Sequence, residues 1–188
     1  ELISIDTETT SLNYMEAEIV GISFSISTNH AAYVPLQHNY ADAPKQLSIQ
    51  DVLKELKPIL EDKTKKKVGQ NLKYDKEVFA NYNINLKGIQ HDTMLASYVL
   101  NSTASRHNLD ALALNYLNTK TIHYEDVAGK GTKQIPFSQV SVEAAAPYAA
   151  EDAEIVIKLH DVLISELKKV PVLGKIYRDI EIPLLSVL

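Results

Sequence analysis

The segment Leu2–Leu12 constrains the fold of this chain most, because a largely apolar strand in it ends in two acids. Leu2 to Ile5 is rich in apolar and β-branched residues, as a buried β-strand is. Side chains alternate along a strand, so the carboxylates of Asp6 and Glu8 are expected on one face. Such like charges repel unless a cation lies between them, and Mg²⁺ prefers carboxylate oxygens. The segment predicts either a divalent-metal site or a solvated strand end with two surface acids.

The length and composition of the chain fit one soluble globular domain. Its 188 residues are enough for one buried core and too few to require two. Hydrophobic residues make up 45% and charged residues 23% of the chain, as in ordinary globular proteins. The absence of cysteine excludes disulfides, thiolate metal sites and a cysteine nucleophile. We see neither a transmembrane segment nor a signal peptide, so we expect a cytoplasmic protein with no membrane partner.

The charge of the chain restricts its possible nucleic-acid partners. The net charge is −5, and the only arginines are Arg106 and Arg178. A protein that grips long duplex DNA through its phosphates would be basic, so a nucleic-acid partner must be short or be held through metal ions. The chain starts at Glu1 and ends in the apolar run Ile180–Leu188, so we expect a domain cut from a longer polypeptide.

The pattern of strands and helices predicts an α/β fold with a mixed sheet. Residues 2–5, 19–26 and 30–36 read as three strands with short links, which indicates an antiparallel meander. Short strands then alternate with helices, so we expect parallel strands to complete the sheet and helices to flank it. Among the helices, one begins after Ser48 and the last runs from Ser141 to about Lys169. The first has one apolar stripe, formed by Val52, Leu53, Leu56, Ile59 and Leu60. We expect the lysines at 63 and 65–67 to lie in a solvated loop.

Further acids lie near predicted helix starts. Asp75 lies about one turn beyond Asn71, after a short strand at Val68, so it can point back toward the strand ends. Asp92 and Asp110 are expected to cap or open helices, where an acid complements the helix dipole.

The last long helix carries a tyrosine and an acid on the same face. Tyr148 and Asp152 are four residues apart and so share one helical face, just after Pro147, which we place in or near the first turn or at a slight kink.

Three blocks together resemble the motifs of a known enzyme family. In order and spacing, Asp6–Glu8, Asn71–Asp75 and Tyr148–Asp152 resemble the three motifs of the DEDD 3′–5′ exonucleases, and most closely those of the proofreading domains of bacterial DNA polymerase I. The resemblance covers essentially the whole chain and implies a ribonuclease H-like fold for residues 1–188, with a polymerase domain beginning near residue 176. The sister branch has histidine where this chain has Pro147, so the resemblance is to the tyrosine branch.

The resemblance implies a metal-dependent mechanism. Asp6, Glu8, Asp75 and Asp152 would hold two divalent metal ions, Mg²⁺ or Mn²⁺, with Zn²⁺ possible at one position. Such ions supply the charge stabilisation and water activation that phosphodiester hydrolysis needs. Tyr148 would orient the attacking water, because a phenol with a pKa of about 10 is a poor base at neutral pH.

The nucleic-acid contacts are implied by the resemblance alone. Leu12 would wedge between the last two bases and Tyr124 would stack on a base, which suits a site that accepts any nucleotide. Phosphates and sugars of the single-stranded 3′ end of DNA would be contacted by Thr9, Gln70, Asn71, Tyr74 and Arg106. The polymerase domain would be a partner in cis.

Two other functions stay open. An RNase D-like exoribonuclease would differ in tolerating the 2′-hydroxyl, which the sequence does not reveal. A catalytically inactive scaffold domain of a polymerase would be expected to lack some of the four carboxylates.

Overall fold

The computed structural model describes residues 2–187. Its strands are β1 (Leu2–Thr9), β2 (Ile19–Ser27), β3 (His30–Pro35), β4 (Lys66–Gly69) and β5 (Ile89–Asp92). Its helices are α1 (Ile49–Leu60), α2 (Leu72–Ala80), α3 (Thr93–Leu100), α4 (Leu109–Leu117), α5 (Tyr124–Ala128), α6 (Val142–Lys169), α7 (Pro171–Ile176) and α8 (Ile182–Leu184). Short 3₁₀ turns lie at Gly131–Lys133 and Phe137–Gln139, and a π-helical turn at Tyr177–Glu181. Glu1 and Leu188, which entered the expectation of a cut domain, lie outside the described residues.

The strands form one mixed sheet in the order β3-β2-β1-β4-β5. β1, β2 and β3 are antiparallel neighbours, whereas β1, β4 and β5 are parallel. The predicted meander with added parallel strands is therefore confirmed. Because β1 lies in the centre, the strand that carries the first two acids is held by hydrogen bonds on both sides.

Helices cover both faces of the sheet, and alternate residues of β1 face different helices. Ile5 packs with Leu53 of α1 and Phe79 of α2 on one face. On the other face Val68, which pairs with Ser4, packs against Val156 of α6. Asp6 and Glu8 alternate with Ile5, so they face α6, while Thr7 faces α2.

Small residues let α6 lie close to the sheet. Ala145, Ala149 and Ala153 recur every four residues along α6 and are fully buried. On the facing strands, Ser4 and Ser23 are likewise fully buried. The absence of large side chains at this contact brings the α6 backbone near to β1.

The predicted helix starts are confirmed, with some differences in detail. The Ser48 and Ser141 hydroxyls cap α1 and α6 by accepting hydrogen bonds from Asp51 N and Ala144 N at 3.4 and 3.3 Å. Pro147 is the sixth residue of α6, one turn later than the first turn. Ile59 remains 42% exposed, so the apolar stripe of α1 is not buried at this position.

The lysine cluster is only partly a solvated loop. Lys67 is fully buried, because β4 extends back to Lys66 to pair with Leu2 and Ile3 of β1. The Lys67 ammonium donates to the Asp62 carbonyl oxygen at 2.7 Å, which satisfies a charge that burial would otherwise make costly.

The segment after α6 packs back onto the sheet. Tyr177 is 1% exposed, and its hydroxyl accepts a hydrogen bond from Asp92 N at 2.8 Å. Its ring lies in the cluster formed by α3, α4 and α6. Among residues 2–187, none of the helices has the length and hydrophobicity needed to cross a membrane.

Candidate active site

Three carboxylates meet where the end of β1 faces α6. Asp6, Glu8 and Asp152 each offer an oxygen atom, and these atoms lie within 4.8 Å of one another. The alternation of β1 brings the first two to one face, as predicted, and the close approach of α6 brings the third. The β1–β2 register shifts between Glu8 and Thr9, where Val20 is the extra residue on β2, so the regular pairing is interrupted directly after the acids.

Burial and mutual repulsion raise the pKa values of these acids. Burial raises the pKa of Asp6 to about 6. Burial, and then the charge of Asp6, raise the pKa of Glu8 and that of Asp152 well above their ordinary values. Bringing such groups together as anions is unfavourable in the metal-free protein, and a bound dication would reverse the balance.

Asp75 approaches from the opposite face of the sheet. It lies on α2, is 2% exposed, and its Oδ1 accepts hydrogen bonds from the Thr7 backbone N–H at 3.0 Å and from the Thr7 hydroxyl at 2.6 Å. It therefore points back toward the strand end, as expected. Asp75 is not one of the three acids whose oxygens cluster, but burial and the charge of Asp6 raise its pKa as well.

The start of α2 is fixed by a residue from another strand. Asn71 adopts a left-handed conformation with φ of 63°, which turns the chain sharply from β4 into α2. The buried Asp92 accepts from Leu72 N at 2.7 Å through Oδ2 and from Leu95 N at 3.0 Å through Oδ1. One acid thus caps both α2 and α3, whereas the sequence predicted only the second cap.

Asp110 lies in the first turn of α4, as predicted. Its carboxylate also accepts from the Thr121 hydroxyl at 2.7 Å and contacts His123 Nδ1 at 2.9 Å. Asp110 therefore holds the loop before α5 in place.

Tyr148 stands one helical turn before Asp152 and faces the acids. Burial, followed by the charges of Asp152 and Glu8, raises the pKa of the Tyr148 phenol, so it is protonated at neutral pH. Its ring packs 5.9 Å from the Phe137 ring and 6.3 Å from the Tyr124 ring, measured between centroids. The aromatic cluster forms one wall beside the carboxylates.

A cleft of about 440 Å³ contains most of these groups. Four of the residues expected to contact nucleic acid line it together with Asp6, Glu8, Tyr148 and Asp152; they are Thr9, Leu12, Tyr74 and Tyr124. Leu12 is 96% exposed at the rim. The Tyr74 hydroxyl donates to the Ser11 carbonyl oxygen at 2.5 Å, which holds the loop that presents Leu12.

Three other expected contact residues, Gln70, Asn71 and Arg106, do not line this cleft. The Gln70 amide donates to the His107 carbonyl oxygen at 2.8 Å, and so holds the loop that contains Arg106. Arg106 lines a neighbouring depression, and Tyr124 lies on the walls of both.

Some residues of the site could not be recognised in the sequence. Phe137, Pro136 and Gln134 line the cleft from the irregular segment before α6, where no periodicity marks them. Thr7 binds Asp75 from the face of β1 opposite to Glu8, and a threonine in a strand carries no signal of such a contact.

Comparisons with known proteins give matches over the whole chain. A sequence model of the 3′–5′ exonuclease family matches residues 1–168. The chain is 53% identical over 190 residues to DNA polymerase I of Pseudomonas aeruginosa, covering 100% of this chain and 21% of that protein. It is 40% identical over 204 residues to DNA polymerase I of Rhizobium leguminosarum, covering 100% of this chain and 20% of that protein. The chain thus spans about a fifth of the length of these curated relatives.

Solved structures share the fold at low sequence identity. A structure described as the POL domain of Pol1 from M. smegmatis in complex with DNA primer-template and dNTP matches with a TM-score of 0.75 and 18% identity, over 99% of this chain and 27% of that one. Brucella melitensis NrnC, also solved with bound Mg²⁺, matches with a TM-score of 0.63 and 20% identity, over 89% of this chain and 74% of that one. The predicted ribonuclease H-like fold is confirmed.

Proposed function

The chain belongs to the 3′–5′ exonuclease family, and on that premise we propose that it removes nucleoside 5′-monophosphates from single-stranded or frayed 3′ ends of DNA by metal-dependent hydrolysis. The observation that carries the proposal is the meeting of Asp6, Glu8 and Asp152 within 4.8 Å at the floor of an open cleft. A cluster of buried and half-buried acids that raise one another's pKa values has little structural value, and a cation explains it.

The donor atoms of the cluster fit a hard divalent cation. Carboxylate oxygens suit Mg²⁺ and Mn²⁺, whereas Zn²⁺, which this site could also accept, is more often bound by nitrogen or sulfur. Asp6, Glu8 and Asp152 would hold one ion. Asp75, whose Oδ1 accepts from Thr7, would offer its other oxygen to a second ion. When bound, such ions supply water activation and charge neutralisation at the phosphate.

The protein's own groups would position the substrate and the water. The Tyr148 phenol would hydrogen-bond the attacking water and fix its direction, because its raised pKa keeps it protonated at neutral pH and so unable to take up the proton of the water. Tyr124 would offer a ring face on which any terminal base can stack, and the exposed Leu12 would separate the last two bases. Thr9, Tyr74, Gln70, Asn71 and Arg106 would contact the sugar–phosphate backbone.

The substrate and the parent protein follow from the relatives. Those relatives are bacterial DNA polymerases I, so we infer that this domain proofreads for a polymerase domain in the same polypeptide, which would begin near residue 176. A mismatched primer end frays more readily than a paired one, and a site that accepts single strands would select it.

The test is hydrolysis of end-labelled oligonucleotides. With 3′-labelled single-stranded DNA and Mg²⁺ or Mn²⁺, we expect mononucleotides to appear at once, and with 5′-labelled DNA a ladder that shortens stepwise. EDTA and Asp152→Asn should each abolish both products. Asp161→Asn is the matched control, because this acid lies on the same helix with its carboxylate paired to His160. Faster hydrolysis of RNA would favour the exoribonuclease, and no hydrolysis of either would favour the scaffold.

A further inference from the structure

A chain of hydrogen bonds outside the cleft connects β3 with the start of α6, the helix that carries Asp152. The Tyr33 hydroxyl lies 2.7 Å from His38 Nε2, and His38 Nδ1 lies 2.9 Å from the Val140 carbonyl oxygen. Val140 immediately precedes Ser141, the N-cap of α6. This hydrogen-bond chain therefore runs from β3 to the start of the helix that bears Tyr148 and Asp152.

Tyr33 reaches the metal-binding face of the sheet through a gap left by a glycine. Gly21 pairs directly with Glu8 in the β1–β2 register, so both positions face α6. A Cβ atom added to Gly21 would lie 2.1 Å from the Tyr33 hydroxyl oxygen. The phenol thus occupies the place beside Glu8 that a side chain at position 21 would fill. Burial, and then the charges of Glu8 and Asp6, raise the pKa of Tyr33, which is consistent with this closeness.

The hydrogen atoms of this hydrogen-bond chain have one consistent arrangement. A carbonyl oxygen can only accept, so His38 Nδ1 carries the hydrogen and Nε2 accepts from the Tyr33 hydroxyl. The hydroxyl hydrogen of Tyr33 is therefore directed to His38, and the Glu8 carboxylate keeps its oxygens for a cation. Burial lowers the pKa of His38, which favours the neutral ring that this arrangement requires.

His38 itself is held from several sides. It is 4% exposed, and the Gln46 side chain accepts from its backbone N–H at 2.8 Å and donates to its carbonyl oxygen at 2.7 Å. Its ring also packs 5.8 Å from Phe137, which lines the cleft. Next to it, Asn39 N donates to the Ser138 carbonyl oxygen at 2.8 Å.

We propose that Tyr33 and His38 are positioning residues for the active site. Through Val140 they hold the start of α6 at a fixed position relative to Glu8 on β1. The inference rests on the proposed function, because it assigns these residues to the site where the ion binds. Loss of either residue lets α6 and β1 shift relative to each other, and loss of His38 also frees the Tyr33 hydroxyl hydrogen beside Glu8. Both effects weaken binding of a cation by Glu8 and Asp152 together.

The test is Mn²⁺ binding, measured by titration calorimetry without nucleic acid. Tyr33→Phe removes only the hydroxyl, and His38→Leu removes both ring nitrogens. Each should weaken Mn²⁺ binding about tenfold, as loss of a residue that orients metal ligands does. Tyr33 and His38 belong to the same hydrogen-bond chain, so the effects of the two substitutions should not add. The double variant should bind Mn²⁺ within about twofold of the single variant that has the lower affinity. Gly21→Ala, which displaces the phenol without removing a hydrogen-bonding group, should also weaken binding.

The matched control is Tyr82→Phe. The Tyr82 hydroxyl accepts from Ile19 N at 2.9 Å at the start of β2, so this variant also loses one partly buried hydrogen bond. Its Mn²⁺ affinity should equal that of the wild type even if its melting temperature falls. If Tyr33→Phe binds Mn²⁺ as the wild type and Tyr82→Phe do, the inference is overturned, whether or not His38→Leu folds. A wild type that binds Mn²⁺ but hydrolyses no nucleic acid refutes the proposed function alone.

Discussion

Thr7 donates two hydrogen bonds to a single oxygen of Asp75, one from its backbone at 3.0 Å and one from its hydroxyl at 2.6 Å. Thr7 stands between Asp6 and Glu8 in the sequence but faces the other side of the sheet. Through this contact, α2 on one face is tied to the strand end whose acids face α6. The site is thus assembled from both faces of the sheet around the last residues of β1.

We expect Thr7→Val to destabilise the protein and to impair hydrolysis. Valine keeps the shape of threonine but leaves a buried carboxylate without one of its donors, which should lower the free energy of unfolding by about 1–3 kcal/mol. Urea unfolding measures this loss. Thr7→Ser, which retains the hydroxyl, is the control. If Thr7→Val and Thr7→Ser unfold at the same urea concentration, the hydroxyl does not hold Asp75.

Leu12 offers a test of the nucleic-acid contacts that is free of folding effects. Its side chain is 96% exposed, so Leu12→Ala should change the free energy of unfolding by less than about 0.5 kcal/mol. Hydrolysis of single-stranded DNA should slow, because the variant lacks the side chain that we propose to separate the last two bases. Met15→Ala is the control, since Met15 is 72% exposed on the same loop but outside the cleft. Equal rates for the two variants would remove Leu12 from the substrate site.

Tyr148→Phe should separate orientation of water from binding of metal. The variant keeps the ring that packs on Phe137 and loses only the hydroxyl, so we expect kcat to fall about 10²-fold, the effect of removing one well-placed hydrogen-bonding group. The Mn²⁺ concentration that gives half-maximal rate should not change. A higher Mn²⁺ requirement with normal kcat at saturation would instead assign Tyr148 to the support of the metal ligands.

The stability of the metal-free protein should fall as pH rises. Asp6 and Glu8 have higher pKa values in the folded state than in the unfolded state. Their contribution to stability is therefore complete at pH values below the unfolded-state pKa values. It is lost as the pH rises through the folded-state pKa values, about 6 for Asp6. In EDTA, these acids should therefore make the melting temperature lower at about pH 8 than at about pH 5.5.

Glu8→Gln isolates the contribution of the cluster. It removes one of the repelling charges, so at the higher pH in EDTA it should melt above the wild type, and it should gain less from added Mn²⁺. Thermal melts at both pH values, with EDTA or Mn²⁺, measure these differences. A Glu8→Gln variant that melts below the wild type in EDTA at the higher pH would mean that Glu8 is a structural partner and not an uncompensated anion.

The parts of the fold that follow from local periodicity could be predicted from the sequence. The alternation of β1 puts Asp6 and Glu8 on one face, and the Ser141 hydroxyl marks the start of α6. Both depend on residues a few positions apart, where backbone geometry fixes the outcome. The family resemblance then gave the third acid, Asp152, which no local rule connects to β1.

Contacts between distant segments could not be predicted. His38 and Val140 are 102 residues apart, and the capping of Leu72 by Asp92 joins a helix to a strand that follows it. Lys67 was misjudged because its burial depends on the pairing of β4 with β1 and not on its charged neighbours. Each of these contacts depends on packing among elements, which a single sequence does not encode in a readable pattern.

The central claim is that Asp6, Glu8 and Asp152 bind a divalent cation together, and anomalous diffraction from crystals soaked in Mn²⁺ tests it most directly. We predict an anomalous peak within bonding distance of an oxygen from each of the three carboxylates, about 2.0–2.2 Å as for similar small divalent ions. A second peak beside Asp75 would complete the four-acid site. Density for Mn²⁺ elsewhere in the protein, with none among these three side chains at saturating concentration, would contradict the account.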